Sequence, residues 1–310
     1  MKRFQQKNHA LGSEALMTVV LRDDLRPEPI FAMLWNQVYA FEKRFSRFLP
    51  DSELSRVNQA AGEAMRVTPE FRKLLAAAQD LARRTQGLYN PLILPALQRA
   101  GYRGSWPHPE QSDSQTSYET RRVADWQGIL VKGATVQLPA NSALDFGGIG
   151  KGYLLDILAD FLIERHITNY WLSLGGDIVC AGYDEPGDPW RIGIQDAWSE
   201  AVVAYVANHG QRVAIATSGI TKRKGVTKSG AWHHIIDPSS GAPAHTDVVT
   251  ATVYADSATQ ADVAAKVLVI AGSAGADAVM RDLGIWHTLL QLDAGDRRAT
   301  IQKMGTAWSI

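Results

Sequence analysis

Four glycine- or proline-dense stretches hold the residues whose types and spacing point to chemistry. The first is Asp145-Phe-Gly-Gly-Ile-Gly-Lys151-Gly-Tyr153, running on to Asp156. Its glycines let backbone N–H groups approach an anion where a loop enters a helix, and a helix N-terminus favours negative charge. Lys151 adds a cation at that point. The spacing matches neither a Walker A loop, which ends Gly-Lys-Ser/Thr, nor the Gly-x-Gly-x-x-Gly dinucleotide fingerprint. On these residues alone, a structural glycine turn and a phosphate site are both open. The second stretch, Leu174-Gly-Gly-Asp177, reads as a turn after a strand, with Asp177 accepting the turn's backbone hydrogen bonds. The third is His233-His234-Ile-Ile-Asp237-Pro-Ser-Ser-Gly241. Neighbouring residues of a strand face opposite ways, so one functional histidine is expected rather than a metal-binding pair. The fourth is the helix start from Ser257 to Ala265, with Asp262 and Lys266 one turn apart.

The elements that must position these stretches follow from periodicity. Leu16 to Leu21 is a short apolar, β-branched run and reads as a buried strand. From Pro27 to Leu49, Phe31, Leu34, Val38, Phe41, Phe45 and Phe48 recur every three or four residues. That spacing predicts one long amphipathic helix, ended by Pro50. Thr68-Pro69 opens another, running to about Thr85 with Gly87 at its C-terminal cap. Gly128 to Leu138 predicts a hairpin, and Lys151 to His166 a helix with Leu154, Leu158 and Phe161 on one face. Strands are expected at Tyr170–Leu174, Arg191–Gln195, Ala201–Val206, Arg212–Thr217 and Asp247–Ala255. A helix from Ser257 to Ile270, a short one near Ala274 to Leu283 and two strands close the chain. Strand and helix runs alternate irregularly, which predicts an α+β fold. The 310 residues are expected to form a single domain, 1–310. An exposed insertion near 103–122 is expected where Ser, Gln, Pro and Asp crowd Ser105–Thr120.

Composition narrows the classes. Hydrophobic residues make up 45% and charged residues 21%, with a formal net charge of zero. That balance is ordinary for a soluble globular protein and gives no electrostatic footprint for nucleic acid. The single cysteine, Cys180, excludes an internal disulfide and a cysteine-based zinc site. Met1 to Ala10 is polar and basic with no apolar region behind it, and no stretch reaches the roughly 18 consecutive apolar residues of a spanning helix. The expectation is a cytoplasmic protein with no signal peptide and no membrane span.

Together the stretches resemble the FAD:protein FMN transferases, the ApbE flavin transferases. The resemblance runs from about Ala10 to Ile270 in seven ordered blocks. Ala10-Leu-Gly-Ser13 is similar to the family's Met-Gly-Thr motif. Phe45-Ser-Arg-Phe48 with Asp51 to Asn58 is similar to its flavin-contacting segment, and Gly87-Leu-Tyr-Asn-Pro91 to its Gly-x-Phe-Asp-Pro motif. Asp145–Asp156, Leu174–Asp177, Ala216–Gly219 and His234–Gly241 resemble the remaining blocks. The resemblance implies an α+β fold of two interlocked subdomains with FAD between them. It also implies a Mg2+-assisted transfer of FMN from FAD to a Ser or Thr hydroxyl of an acceptor flavoprotein subunit, with release of AMP. FAD hydrolysis, or FAD binding with altered or lost catalysis, are the alternatives. By match to the motifs, Leu11, Phe48, Leu88, Tyr89, Asn90, Asp145, Lys151 and His234 would hold FAD. His234 and Asp262 would be catalytic, and Gly148, Asp262 and Ala265 would hold the metal.

One departure bears on that chemistry. The family pattern Asp-x-x-x-Thr is Asp262-Val-Ala-Ala-Lys266 here. Mg2+ takes oxygen ligands in near-octahedral geometry, and an ammonium has no lone pair to offer. Three arrangements are open: Lys266 turned away from a metal, Lys266 standing in the metal's place as a point charge, or a site that binds FAD and does little chemistry. Leu11 for Met and Asn90 for Asp are milder departures.

Overall fold

The backbone of the sheet follows the chain order. Its eight main strands are β1 (Lys2–Ala10), β2 (Ser13–Leu21), β3 (Tyr170–Leu174), β4 (Asp177–Glu185), β5 (Gly210–Gly219), β6 (Val248–Ala255), β7 (His287–Asp293) and β8 (Ala299–Met304). Each pairs antiparallel with the next, and Asp188–Pro189 adds a short ninth strand beside β4. The computed structural model describes residues 1–102, 104, 121–185, 187–227 and 230–309. The insertion expected at Ser105–Thr120 lies outside the described residues.

Among the described residues six α-helices accompany the sheet: α1 (Pro27–Phe45), α2 (Glu53–Gln59), α3 (Pro69–Arg84), α4 (Leu94–Ala100), α5 (Gly150–Ile163) and α6 (Ala258–Leu283). The first five fall between β2 and β3, which pair directly from Ala15↔Leu174 to Val19↔Tyr170. The described residues from α1 to α5 therefore form an insert in an antiparallel meander, with a three-stranded sheet of Ala64–Arg66, Thr135–Gln137 and Leu130–Lys132 beside the helices. The insert and α6 cover one sheet face, and the main core lies there, with Phe31, Leu34 and Val38 of α1, Leu154, Leu155 and Leu158 of α5, and Val263, Val267 and Leu268 of α6. The other face is covered by the hairpin Arg191–Gln195/Val202–Ala207. Ile192, Ile194, Ala204 and Val206 pack there with Trp190 on Val20, Val213 and Ile215. Cys180 is sealed in that second layer, where desolvation pushes its thiol up to about 12. It is a core residue.

Three elements differ from expectation. Lys2–Ala10, read as a polar N-terminal stretch, is the edge strand β1. One face of an exposed edge strand meets water and the other meets little, so no apolar alternation marks it. The β1–β2 hairpin turns on Leu11 and Gly12, with φ 53° and 66°, the two-residue left-handed turn that suits strand twist. The helix α1 stops at Phe45 rather than Leu49, because Ser46 turns extended after its N–H bonds Glu42 O. Phe48 thus leaves the buried stripe and is 41% exposed. The two expected closing helices are the two halves of α6, joined across a break at Gly272 (φ 71°). By length and composition α6 is apolar enough to cross a membrane. In the fold its apolar faces pack on β5 and β6 and against α5.

Candidate functional site

The site begins at the crossing of α5 and α6. Asp156 of α5 caps α6: its carboxylate accepts from the N–H groups of Ala258 and Thr259 (2.9 Å each) and from the hydroxyls of Ser257 (2.8 Å) and Thr259 (2.6 Å). Arg212 of β5 neutralises it at 3.0 Å. One turn earlier, Gly152 lets the helices meet. A Cβ there would stand 2.2 Å from Ala258 O and 2.8 Å from Asp262 Cβ. The Gly152 N–H donates to Asp262 Oδ2 at 3.1 Å. Gly152 is therefore a packing glycine, and it sets Asp262 and Lys266 beside the Gly147-Gly148 loop.

That loop is wound around its own acceptors. Asp145 Oδ1 takes the Gly147 N–H (2.7 Å), while Oδ2 pairs with Arg47 Nε at 2.9 Å, both side chains being over nine-tenths buried. The N–H groups of Ile149 and Gly150 donate to Phe146 O at 3.1 and 2.7 Å. Of the two readings open for these glycines, the hydrogen bonds support the structural turn. The amides of Gly147, Ile149, Gly150 and Gly152 are committed inside the protein, so an anion would be met chiefly by side chains.

All eight residues expected to hold FAD line one cavity of about 680 Å3 at the seam between the insert and the sheet. That lies within the roughly 300–1,000 Å3 of small-molecule sites. Leu11 enters from the β1–β2 turn, its N–H held by Glu42 Oε1 at 2.8 Å. Phe48 stands at the cavity edge with the Arg47 guanidinium 4.3 Å from its ring centroid. Leu88 and Tyr89 follow α3. Asn90 also reaches the wall, but its amide serves the backbone, donating to Ala124 O (3.0 Å) and accepting from Leu92 N–H (2.9 Å).

One end of the cavity is cationic. Lys151, Arg223 and Lys266 all line it together with His234. Lys151 makes an ion pair with Asp177, which corrects the reading of Asp177 as a turn-holder. Asp177 is the first residue of β4, and its carboxylate faces the lysine rather than the turn amides. Burial drives the Lys151 ammonium down, while the Asp262 carboxylate draws it up and Lys266 and Arg223 oppose that. Asp177 in direct contact keeps it charged. Arg223 donates to Ser13 Oγ at 3.3 Å and has no carboxylate partner among the described residues.

His234 is anchored through Nδ1, 3.3 Å from Arg223 O. A carbonyl only accepts, so Nδ1 carries the proton and Nε2 keeps its lone pair. Burial first, then the Arg223 and Lys266 charges, holds the imidazole well below its ordinary range. His233 instead bonds Ala244 O at 3.0 Å through Nε2. The adjacent histidines do different work: His233 ends the strand Gly230–His233, and His234 lies just past it.

The residues expected to hold a metal are arranged otherwise than a magnesium site requires. Lys266 makes an ion pair with Asp262 Oδ1, and Oδ2 is taken by Gly152. Burial works to raise the Asp262 carboxyl, but Lys151, then Lys266 and the Gly152 N–H, outweigh it and hold the carboxyl below the usual range. Asp262 is 1% exposed and absent from the cavity wall, Ala265 is fully buried inside α6, and only Gly148 of the three reaches the cavity. Among the described residues no three His, Cys, Asp or Glu side chains gather as a metal cluster. This donor set does not fit Mg2+, which needs near-octahedral oxygens.

Sequence reasoning passed over Arg47 and Arg223. Arg47 stands inside the quoted Phe45–Phe48 block, and Arg223 in the Lys222-Arg-Lys224 run before the histidines. Either basic residue beside a recognised block was the available signal. Tyr102, which packs against Phe48 and His234, carried none.

The same blocks and the same fold recur in known proteins. The family model described as ApbE family matches residues 11–287. The chain is 31% identical over 254 residues to a FAD:protein FMN transferase of Rhodobacter capsulatus, covering 80% of this chain and 48% of that protein. It is 30% identical over 271 residues to one of Treponema pallidum, covering 82% and 74%. The chain thus spans about half the length of the first relative. Among solved structures, the ApbE protein of Thermotoga maritima superposes with a TM-score of 0.83 at 25% identity, covering 98% of this chain and 97% of that one. The flavin transferase ApbE of Vibrio cholerae gives 0.80 at 24% identity over 99% and 98%, a likeness of fold.

Proposed function

The chain belongs to the ApbE family, and from that premise we propose that it is a FAD:protein FMN transferase acting on a Ser or Thr hydroxyl of an acceptor flavoprotein. The observation that carries this reading is the convergence of eight motif residues on one cavity with three cations and a neutral histidine at one end. Phosphoryl transfer asks a protein mainly for positioning and charge neutralisation. Phe48, half-exposed at the cavity edge with Arg47 against its ring, would offer the flat ring of FAD an aromatic partner. The diphosphate lies toward Lys151, Arg223 and Lys266. The acceptor oxygen forms a bond to the FMN phosphorus, its proton passes to His234 Nε2, and the anhydride P–O bond breaks. The electron pair leaves on the phosphate of AMP. A depressed histidine is a base already free of its proton at neutral pH.

Purified protein incubated with FAD and an acceptor protein bearing a Ser or Thr flavinylation site tests this. The expected products are AMP, read by chromatography, and covalently fluorescent acceptor, read on a denaturing gel. His234→Ala is expected to bind FAD and transfer slowly. FAD bound without AMP release by any form would replace transfer with flavin carriage. AMP release with free FMN would make the protein a hydrolase.

A further inference from the structure

Two features meet at Gly148. Lys266 runs past it, with Cδ and Cε 3.5 and 3.8 Å from where a Gly148 Cβ would stand, and the Tyr89 ring lies 3.2 Å away on another side. Lys266 lines the cavity, and its ammonium bonds Asp262 Oδ1 and, at 3.2 Å, Asp262 O. Each oxygen of the carboxylate behind it already accepts one hydrogen bond, Oδ1 from Lys266 and Oδ2 from Gly152. The Tyr89 hydroxyl is buried and has no hydrogen-bond partner, although its ring lines the same cavity.

We propose that Lys266 takes the place of a divalent cation in this protein, so that the FAD diphosphate is bound, and its transfer assisted, by a protein-borne ammonium. This rests on the reading that the cavity holds FAD. Asp262 fixes the ammonium at one point, as it would fix a metal, and the charge it presents to the diphosphate needs no ion from solution. In that transfer Lys266 donates hydrogen bonds to the diphosphate oxygens and keeps its protons. The bonds made and broken are unchanged. Mg2+ would have to displace an ammonium already hydrogen-bonded to Asp262, beside the further positive charges of Lys151 and Arg223.

Flavin fluorescence titration of FAD into metal-stripped protein, with EDTA or with added MgCl2, tests this. The unsubstituted protein is expected to bind FAD equally in both. Lys266→Met is expected to lose about tenfold or more of FAD affinity, the worth of a charge-assisted hydrogen bond, while binding riboflavin as before. Lys266→Arg, which keeps the charge and guards against a folding defect, should bind FAD without metal. Lys266→Thr should acquire a dependence on Mg2+ for FAD binding. Binding that requires Mg2+ in the unsubstituted protein, or an unchanged FAD affinity in folded Lys266→Met, overturns the substitution and leaves the transferase reading standing. Failure of the unsubstituted protein to bind FAD under either condition overturns both.

Discussion

Gly152→Ala sets two effects of opposite sign against each other. Within α5, alanine is favoured over glycine by about 1 kcal/mol, because glycine loses more backbone entropy on folding. Against this, the new methyl would stand 2.2 Å from Ala258 O, 2.6 Å from its carbonyl carbon and 2.8 Å from Asp262 Cβ. Carbon–oxygen contacts settle near ~3.3–3.6 Å, so the helices must part by roughly 1 Å. No flexible side-chain end can give way. Ala258 is the first residue of α6, and its own N–H is tied back to Asp156 of α5, so relief moves the helix as a body. Overpacking by a methyl group costs about 1–3 kcal/mol, and a rigid backbone neighbour puts this case at or beyond the upper end. The net expectation is a loss of about 2 kcal/mol, or about 4 °C in melting temperature for a chain of this size. Calorimetry reads the first, and FAD titration reads the displacement of Lys266 from Gly148 that accompanies it. A variant as stable as the parent, or more stable, would refute the close crossing of α5 and α6 and leave helix propensity as the larger effect.

Other outcomes follow from the same geometry. Asp156→Ala removes four accepted hydrogen bonds at the start of α6 and the Arg212 pair, and should cost about 2–4 kcal/mol in urea denaturation; Asp160→Ala, whose carboxylate is mostly exposed, should stay within about 0.5 kcal/mol. Arg47→Met leaves the Asp145 charge buried and alone, at a cost of about 3–5 kcal/mol, and adding Asp145→Asn should recover part of it; a double-mutant cycle that adds without coupling would rule the pair out. His234, facing Arg223, Lys266, His233 and the Tyr102 ring, is held below its ordinary range, so the unfolded chain binds its proton first as pH falls. Its contribution to stability is present above about pH 6.5 and is lost below it, by up to about 1.4 kcal/mol per pH unit. His234→Gln should flatten that part of the stability–pH curve, and an unchanged slope would mean the imidazole titrates normally.

The sequence was most legible where one physical signal acted alone. The stripe of α1 is a three-four spacing, and the Ser257 and Thr68 caps are single side chains bonding nearby N–H groups. Reading failed where partners come from far along the chain. β1 has no apolar alternation, because its identity as a strand rests on pairing with β2. Asp177 looked like a turn residue because nothing local announces Lys151, twenty-six positions away. The glycines of Asp145–Tyr153 looked like one anion-binding run, yet Gly147 serves an Asx turn and Gly152 a helix crossing. Spacing could place Asp262 and Lys266 on one helix face, but only the fold shows Lys266 lining the cavity and Asp262 buried out of reach of it.

The insert has a kinetic consequence. The β2–β3 pairing joins Val19 to Tyr170, closing a loop of roughly 150 residues in a sheet whose other neighbours mostly connect nearby. Such a closure is slow, because the chain entropy is lost before the contacts form. The cavity is walled by both sides of that closure, with Leu11 from the hairpin and Tyr89 and Asp145 from the insert. The ability to hold a ligand therefore arrives last in folding. In a refolding experiment, recovery of flavin quenching should lag behind the return of helical circular dichroism.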